Sequence, residues 1–149
     1  MKDIRVRKAT ESDLAAIGKL LAELIHALDN TEGIDVGTAA KTCQRLLSDA
    51  NSHFLVAESK GTPLGFVNFT VRQTVLHRSP SATIDELVVA KEYQRKGVGE
   101  RLVLSVIGEC ERLGCCEVEA STEKTNVKAR RFYKQCGFGE KGTLFEADL

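Results

Sequence analysis

The chain has 149 residues, 21 basic and 21 acidic, which is the size of one domain and leaves no net charge at pH 7. That balance gives no electrostatic case for nucleic acid or an anionic membrane surface as a partner. No apolar run approaches the ~18 residues of a membrane span, and the segment from Met1 to Arg5 lacks the apolar core of a signal peptide. A single domain over residues 1–149 in the cytoplasm is therefore expected. The cysteines number 5 and show no C-x-x-C spacing, so they read as buried structural thiols and no metal site is expected.

In chain order, Ile4 to Arg7 alternates as a strand does. Thr10 then caps a helix with Asp13 as its capping-box partner, and Leu14, Ile17, Leu20, Leu21, Leu24 and Leu28 fall on one helical face. Residues 29–37 are polar and contain glycine, hence a loop. Thr38 opens a second helix bearing Ala39, Cys43, Leu46 and Leu47. Residues 53–58 and 64–71 form a hairpin about Gly61-Thr62-Pro63, and a third strand of this run covers residues 82–89. A helix from Glu100 to Leu113 is closed by Gly114. A strand follows from Cys115 to Ala120. Asn126 caps a short helix that Gly137 stops, and Phe138 with residues 143–149 suggests two last short strands. The order β-α-α-β-β-β-α-β-α-β-β predicts an α/β fold. It is a mixed sheet with helices on both faces, and the strands at 82–89 and 115–120 are parallel about a right-handed crossover.

The densest chemistry lies where the apolar run Leu87-Val88-Val89-Ala90 meets Tyr93-Gln94-Arg95-Lys96-Gly97-Val98-Gly99 and a helix follows. Glycines leave backbone N–H groups uncovered, and a helix N-terminus carries partial positive charge, so this is an anion site suited to a phosphorylated ligand. The turn lacks the G-K-[ST] ending of a P-loop and is not G-x-G-x-x-G. No acidic residue stands where a dinucleotide fold holds its ribose.

Gln94-Arg95-Lys96-Gly97-Val98-Gly99 resembles the Q/R-x-x-G-x-G/A signature of the GNAT N-acetyltransferase family. Three further stretches resemble that family in order and spacing: Arg5 to Thr10 with Asp13-Leu14, Ile84 to Val89, and Asn126 to Ala129 with Phe132-Tyr133 and Gly137-Phe138. One departure is Arg95, where many members have glycine. The resemblance implies the GNAT acyl-CoA N-acyltransferase fold and acetyl-CoA as cosubstrate. Its pyrophosphate would lie on the backbone of Gln94, Arg95, Lys96, Gly97, Val98 and Gly99. Its acyl and pantetheine arm would pair with main-chain groups of Leu87 and Val89, with Val88 between them. Asn126 is a helix cap first and a cofactor contact second.

The resemblance further implies that Tyr133 acts as general acid toward the leaving thiolate of CoA, and that a carboxylate takes the amine proton. Asp85 and Glu86 are the candidates. Strand alternation sends them to opposite faces, and Glu86 is favoured by analogy with the family. His53 and His77 stand in less telling places. The acceptor pocket lies, in this family, among the first two helices, their loop and the last strands, and the loop carries Asp29, Glu32 and Asp35. The expected function is acetyl transfer to a primary amine, borne by a small molecule or a peptide, through direct attack. The alternative is a non-catalytic acyl-CoA-binding or regulatory domain on the same fold. Homodimers are common in the family.

Overall fold

The computed structural model describes residues 3–28 and 33–149. Its elements are β1 (Arg5–Lys8), α1 (Leu14–Ala27), α2 (Val36–Leu46), β2 (Ser52–Ser59), β3 (Thr62–Arg72), β4 (Ser81–Val89), α3 (Val98–Arg112), β5 (Glu117–Ala120) and α4 (Val127–Gln135). A single turn of 3-10 helix at Glu11–Asp13 leads into α1. The strands lie side by side in the order β1-β2-β3-β4-β5. The first three pairings are antiparallel, and β4 with β5 is parallel, as the intervening helix requires.

Alternation along β2 and β3 divides the core between the two faces of the sheet. Phe54, Val56 and Phe66 pack with Ile17, Leu20 and Leu21 of α1 and Cys43 of α2. Leu55, Ala57, Val67 and Phe69 pack with Val98, Leu102, Val103 and Val106 of α3. The sheet is therefore covered on both faces and its central strands read as nearly continuous apolar runs. The β2–β3 turn is tighter than the expected Gly61-Thr62-Pro63 bend: Lys60 (φ 49°) and Gly61 (φ 80°) form the two-residue, positive-φ connection that suits a twisted hairpin.

Local capping fixes the helix starts. The Thr10 N–H donates to Asp13 Oδ2 at 2.8 Å, and both terminal nitrogens of Arg7 reach the same carboxylate at 2.8 Å. Arg7 also holds Glu58 of β2 at 3.0 Å, tying β1, β2 and the entry to α1 together. Asp35 caps α2, accepting from the Thr38 N–H at 2.8 Å, so that helix begins two residues before the expected Thr38.

The two final strands do not form. Residues 139–149 are exposed and carry no regular secondary structure, and β5 is the outer strand. Phe138 turns inward, edge-on to Tyr133 at 5.4 Å between ring centroids. Glu140 is then drawn onto α4 by Arg130 (2.6 Å) and Lys134 (3.7 Å). Leu144 and Phe145 follow as neighbours, both exposed, and the pair does not supply the alternate inward positions that would seat a strand on a core.

Candidate functional site

The site is built where the sheet comes apart. β5 pairs with β4 only from Ser81 to Ile84. Beyond Ile84 the side of β4 that faced β5 has no strand beside it. The Ala90 N–H donates to the Leu64 carbonyl of β3 at 2.8 Å. By antiparallel alternation Val88, paired with Phe66, also turns its main-chain groups toward β3, whereas Leu87 and Val89 turn theirs toward the gap. Val88 is 5 % exposed and packs on the α1/α2 face, so its side chain stays in the core. Leu87 and Val89 side chains pack on the α3 face. Their outward main-chain groups form the edge that a ligand with amide groups can join, much as an added strand would.

Close approach to β3 keeps β4 in place here. A Cβ on Gly65 would stand 2.5 Å from the Val88 carbonyl oxygen and 3.1 Å from Val89 Cα, so only glycine fits.

The expected opposite orientation of Asp85 and Glu86 does not hold. The β3–β4 register shifts between Asn68 and Phe69: Asn68 pairs with Glu86, but Phe69 pairs with Ile84, leaving Asp85 as an extra residue. A bulge of this kind reverses the alternation. Ala82 and Ile84 face α3 before it, and Leu87 and Val89 face α3 after it. Asp85 and Glu86 therefore share the α1/α2 face. The Thr70 hydroxyl donates to Asp85 Oδ2 at 2.6 Å. Asn68, 6 % exposed, accepts the Glu86 N–H on its side-chain oxygen at 3.1 Å and so pins the bulge from the neighbouring strand.

Glu86 faces a cavity of ≈ 280 Å³ whose walls include Leu21, Thr38, Cys43, Phe54, Phe66 and Asn68. Its carboxyl reaches solvent through the cavity mouth, yet the enclosing walls remove much of its water. That desolvation raises its pKa above the ordinary glutamate value; the Asn68 amide pulls the other way, and the Asp85 charge adds to the rise. Cys43 is pushed up by burial and by the Glu86 charge, which holds it as a thiol. Of the three loop carboxylates, Asp35 borders this cavity, while Asp29 and Glu32 lie outside the described residues.

The glycine turn follows directly. Gln94 donates from its side chain to the Val89 carbonyl at 3.0 Å, tethering the turn to the end of β4. Arg95 (φ 61°) and Gly97 (φ 83°) are both left-handed. Glycine is the usual residue for such a backbone, which accounts for the family's preference at the position Arg95 occupies. Arg95 is exposed, so its side chain meets no obstacle. The Gln94 N–H goes to Lys91 and the Arg101 N–H to Gly97. Among the described residues, no main-chain or side-chain acceptor takes the N–H groups of residues 95–100 between them. Alternating left-handed residues followed by a free helix start make an anion-binding nest. Lys96 lies over the Tyr93 ring at 5.6 Å, and Val98 is core, 1 % exposed. The helix begins at Val98, so Gly99 lies in its first turn, under Phe132 of α4: a Cβ there would meet that ring at 3.4 Å.

Asn126 caps α4, accepting from the Ala129 N–H at 3.1 Å. Tyr133 packs on the α3 side between Phe132 and Phe138. Burial, with a smaller push from Cys136, raises its phenol above the ordinary tyrosine value. Its hydroxyl makes no hydrogen bond among the described residues. His53 and His77 are occupied elsewhere. His53 stacks on Phe69 at 5.0 Å on the α3 face, and burial lowers its pKa. His77 holds Glu117 at 3.2 Å. Among the described residues no group of three or more His, Cys, Asp and Glu is placed to hold a metal ion, and no helix is long and apolar enough to cross a membrane.

Sequence reasoning missed Asn68, Thr70 and the cavity wall. The available signal was one polar residue inside the apolar run Leu64-Gly65-Phe66-Val67-Asn68-Phe69.

Comparison with known proteins agrees with this architecture. The chain is 25% identical to the aminoglycoside N(6')-acetyltransferase type 1 of Stenotrophomonas maltophilia over 138 residues, covering 91% of this chain and 86% of that one. A possible acetyltransferase from Clostridium difficile 630 superposes with a TM-score of 0.86 at 23% identity, covering 99% of each chain. An aminoglycoside N-acetyltransferase in complex with CoA superposes with a TM-score of 0.84 at 18% identity, covering 98% of this chain and 94% of that one. The sequence pattern of the acetyltransferase (GNAT) family matches residues 19–138, and the chain belongs to that family.

Proposed function

We propose that residues 1–149 form one N-acetyltransferase domain that moves an acetyl group from acetyl-CoA to a primary amine by direct attack. The observation that carries the reading is the parting of β4 from β5 beside a turn of free N–H groups, with two carboxylates on one face of the opening. Acetyl-CoA supplies an activated acyl group and a pyrophosphate. The donors present fit both: main-chain groups of Leu87 and Val89 for the arm, and the N–H groups of residues 95–100 for the phosphates. The Val89 carbonyl already receives Gln94, so the arm would use the Leu87 groups and the Val89 N–H. A main-chain N–H on this edge also polarises the thioester carbonyl.

Proton transfer falls to three side chains. An alkyl ammonium with a pKa of ~10.4 is neutral in only ~0.04% of molecules at pH 7, so freeing the nucleophile requires about 4.6 kcal/mol at 1.36 kcal/mol per unit. Glu86, raised by desolvation, is a better base than an ordinary glutamate and takes that proton directly or through water. Asp85, held by Thr70, places a second carboxyl group on the same face of the sheet. Tyr133, whose phenol burial raises above the ordinary tyrosine value of ~10, is protonated at neutral pH and gives its proton to the departing thiolate. Cys43, the thiol on the cavity wall, is held protonated, which disfavours a covalent acyl-cysteine route. The free state of all cysteines suits a cytoplasmic setting.

The deciding experiment measures thiol release from acetyl-CoA across an amine panel, with acetyl-CoA binding followed separately. Amine-dependent release that is lost in Glu86→Gln supports the reading. Binding of acetyl-CoA with no release over the whole panel would leave the non-catalytic acyl-CoA-binding alternative.

A further inference from the structure

We infer that the acceptor is a small primary amine on an apolar stem, taken up stem-first into the cavity between α1, α2 and the bulge. This rests on the acetyl-transfer reading and names the substrate class of that same site. The cavity of ≈ 280 Å³ sits below the about 300–1,000 Å³ typical of drug-sized ligand sites.

The lining settles the chemistry of the occupant. Leu21, Ile34, Ala39, Leu46, Phe54 and Phe66 supply apolar wall. The ionisable carboxylates are Glu86 and Asp35, and no lysine, arginine or histidine lines the cavity among the described residues. A cation is therefore attracted at the Glu86 end, and nothing described there repels it. Other polar capacity is already partly spent: Asp35 accepts from the N–H and hydroxyl of Thr38, and the Asn68 oxygen accepts the Glu86 N–H. A sugar ring carrying several hydroxyls would find few partners there, the Glu86 and Asp35 carboxylates, the Asn68 amide and the Thr42 hydroxyl, and would lose water against the apolar wall, which is unfavourable. A methylene chain or one aromatic ring loses nothing and gains from burial. This separates the chain from the aminoglycoside enzymes it is similar to over most of its length.

The test is calorimetric titration of straight-chain primary amines from propylamine to heptylamine, alongside 2-phenylethylamine, kanamycin and a lysine-containing peptide, with thiol release measured in parallel. Affinity should improve roughly fourfold per added methylene until the cavity is full, the factor expected for burying one such group, and then level off. Ala39→Phe should end that rise earlier and weaken the longest amines at least tenfold while acetyl-CoA binding holds. Glu86→Gln, nearly isosteric, should weaken every amine while leaving the gain per methylene unchanged, and it keeps the test decisive if Ala39→Phe fails to fold. A flat chain-length series overturns the acceptor class, as does kanamycin or the peptide binding tenfold better than the alkylamines. Transfer to kanamycin or the peptide in that case leaves acetyl transfer standing. A rising series without thiol release has the opposite meaning: the cavity chemistry stands and the transferase reading falls.

Discussion

Asn68→Leu isolates the amide that pins the bulge. The substitution removes the side-chain oxygen that accepts the Glu86 N–H at 3.1 Å. An orphaned buried donor costs about 1–3 kcal/mol. Asn68 is 6 % exposed, so the leucine is buried in turn and recovers about 1.5–3 kcal/mol. The two contributions oppose each other, and net stability should change by no more than about 2 kcal/mol in either direction. Function should change more. The Asn68 amide holds the Glu86 carboxyl down against desolvation. Without it the pKa rises further, and a smaller fraction of Glu86 is ionised on the acid side. A rise of one pH unit in the pKa lowers the ionised fraction about tenfold there. The expected result is a loss of roughly tenfold or more in kcat/KM below the acid limb, with the limb displaced to higher pH and the ratio to wild type recovering well above it. Urea unfolding and a pH–rate profile measured on the same preparations check both halves. An acid limb that stays in place or moves to lower pH would refute the assignment of Glu86 as the base held by Asn68.

Four other substitutions test separate parts of the site. Gly97→Leu forces a non-glycine residue to φ 83° with open space around its Cβ, so the fold should lose only about 1–2 kcal/mol while acetyl-CoA affinity falls more than tenfold; unchanged affinity in a binding titration would remove the turn from the site. Tyr133→Phe deletes a hydroxyl with no protein hydrogen bond among the described residues, so thermal unfolding should be nearly unchanged while turnover drops about a hundredfold, the scale of a lost general acid; wild-type rates across pH would exclude Tyr133 from the chemistry. Glu86→Gln should raise stability at neutral pH, because a carboxyl whose folded pKa lies above its unfolded value loses stability as pH rises through that folded pKa; denaturation at pH 4 and pH 7 should show the variant's advantage only at the higher pH. Asp13→Asn works in the opposite sense: Arg7 lowers Asp13, so its contribution is present above the ordinary value of 3.8 and disappears as pH falls through the folded pKa. Unfolding at pH 7 should show a deficit of about 2–3 kcal/mol, below the range for a fully buried pair because Arg7 is partly exposed, and the two proteins should converge in acid.

Much of the fold was legible because it follows from periodicity. The apolar faces of Leu14 to Leu24 and of Val98 to Val106, and the Gly61 hairpin, each carry a local signature that the structure keeps. The glycine turn was legible for the same reason, since a left-handed backbone restricts its own sequence. The relation between Asp85 and Glu86 was harder to read. Its signal, apolar residues at 82 and 84 and then at 87 and 89, is a one-residue break in alternation that a buried strand easily conceals. The partner that stabilises it, Asn68, lies on another strand. The cavity was not legible at all, because its walls come from α1, α2, β2 and β3 and depend on how those elements pack. The final strands were over-read: Thr143 to Leu149 has strand-like composition, but a strand exists only where a neighbouring edge receives it.

The gap beyond Ile84 also bears on how the protein behaves without its cosubstrate. β4 there is the fourth strand of five, interior in sequence order yet open along one side. An open edge of this kind is a template for unwanted pairing with other chains. In the proposed reading the pantetheine arm fills the place of a short missing strand, so occupancy completes the sheet as well as starting the chemistry. The empty protein should then be the more prone to aggregate, and its half-life in the cell should track the supply of acyl-CoA as well as the demand for its product.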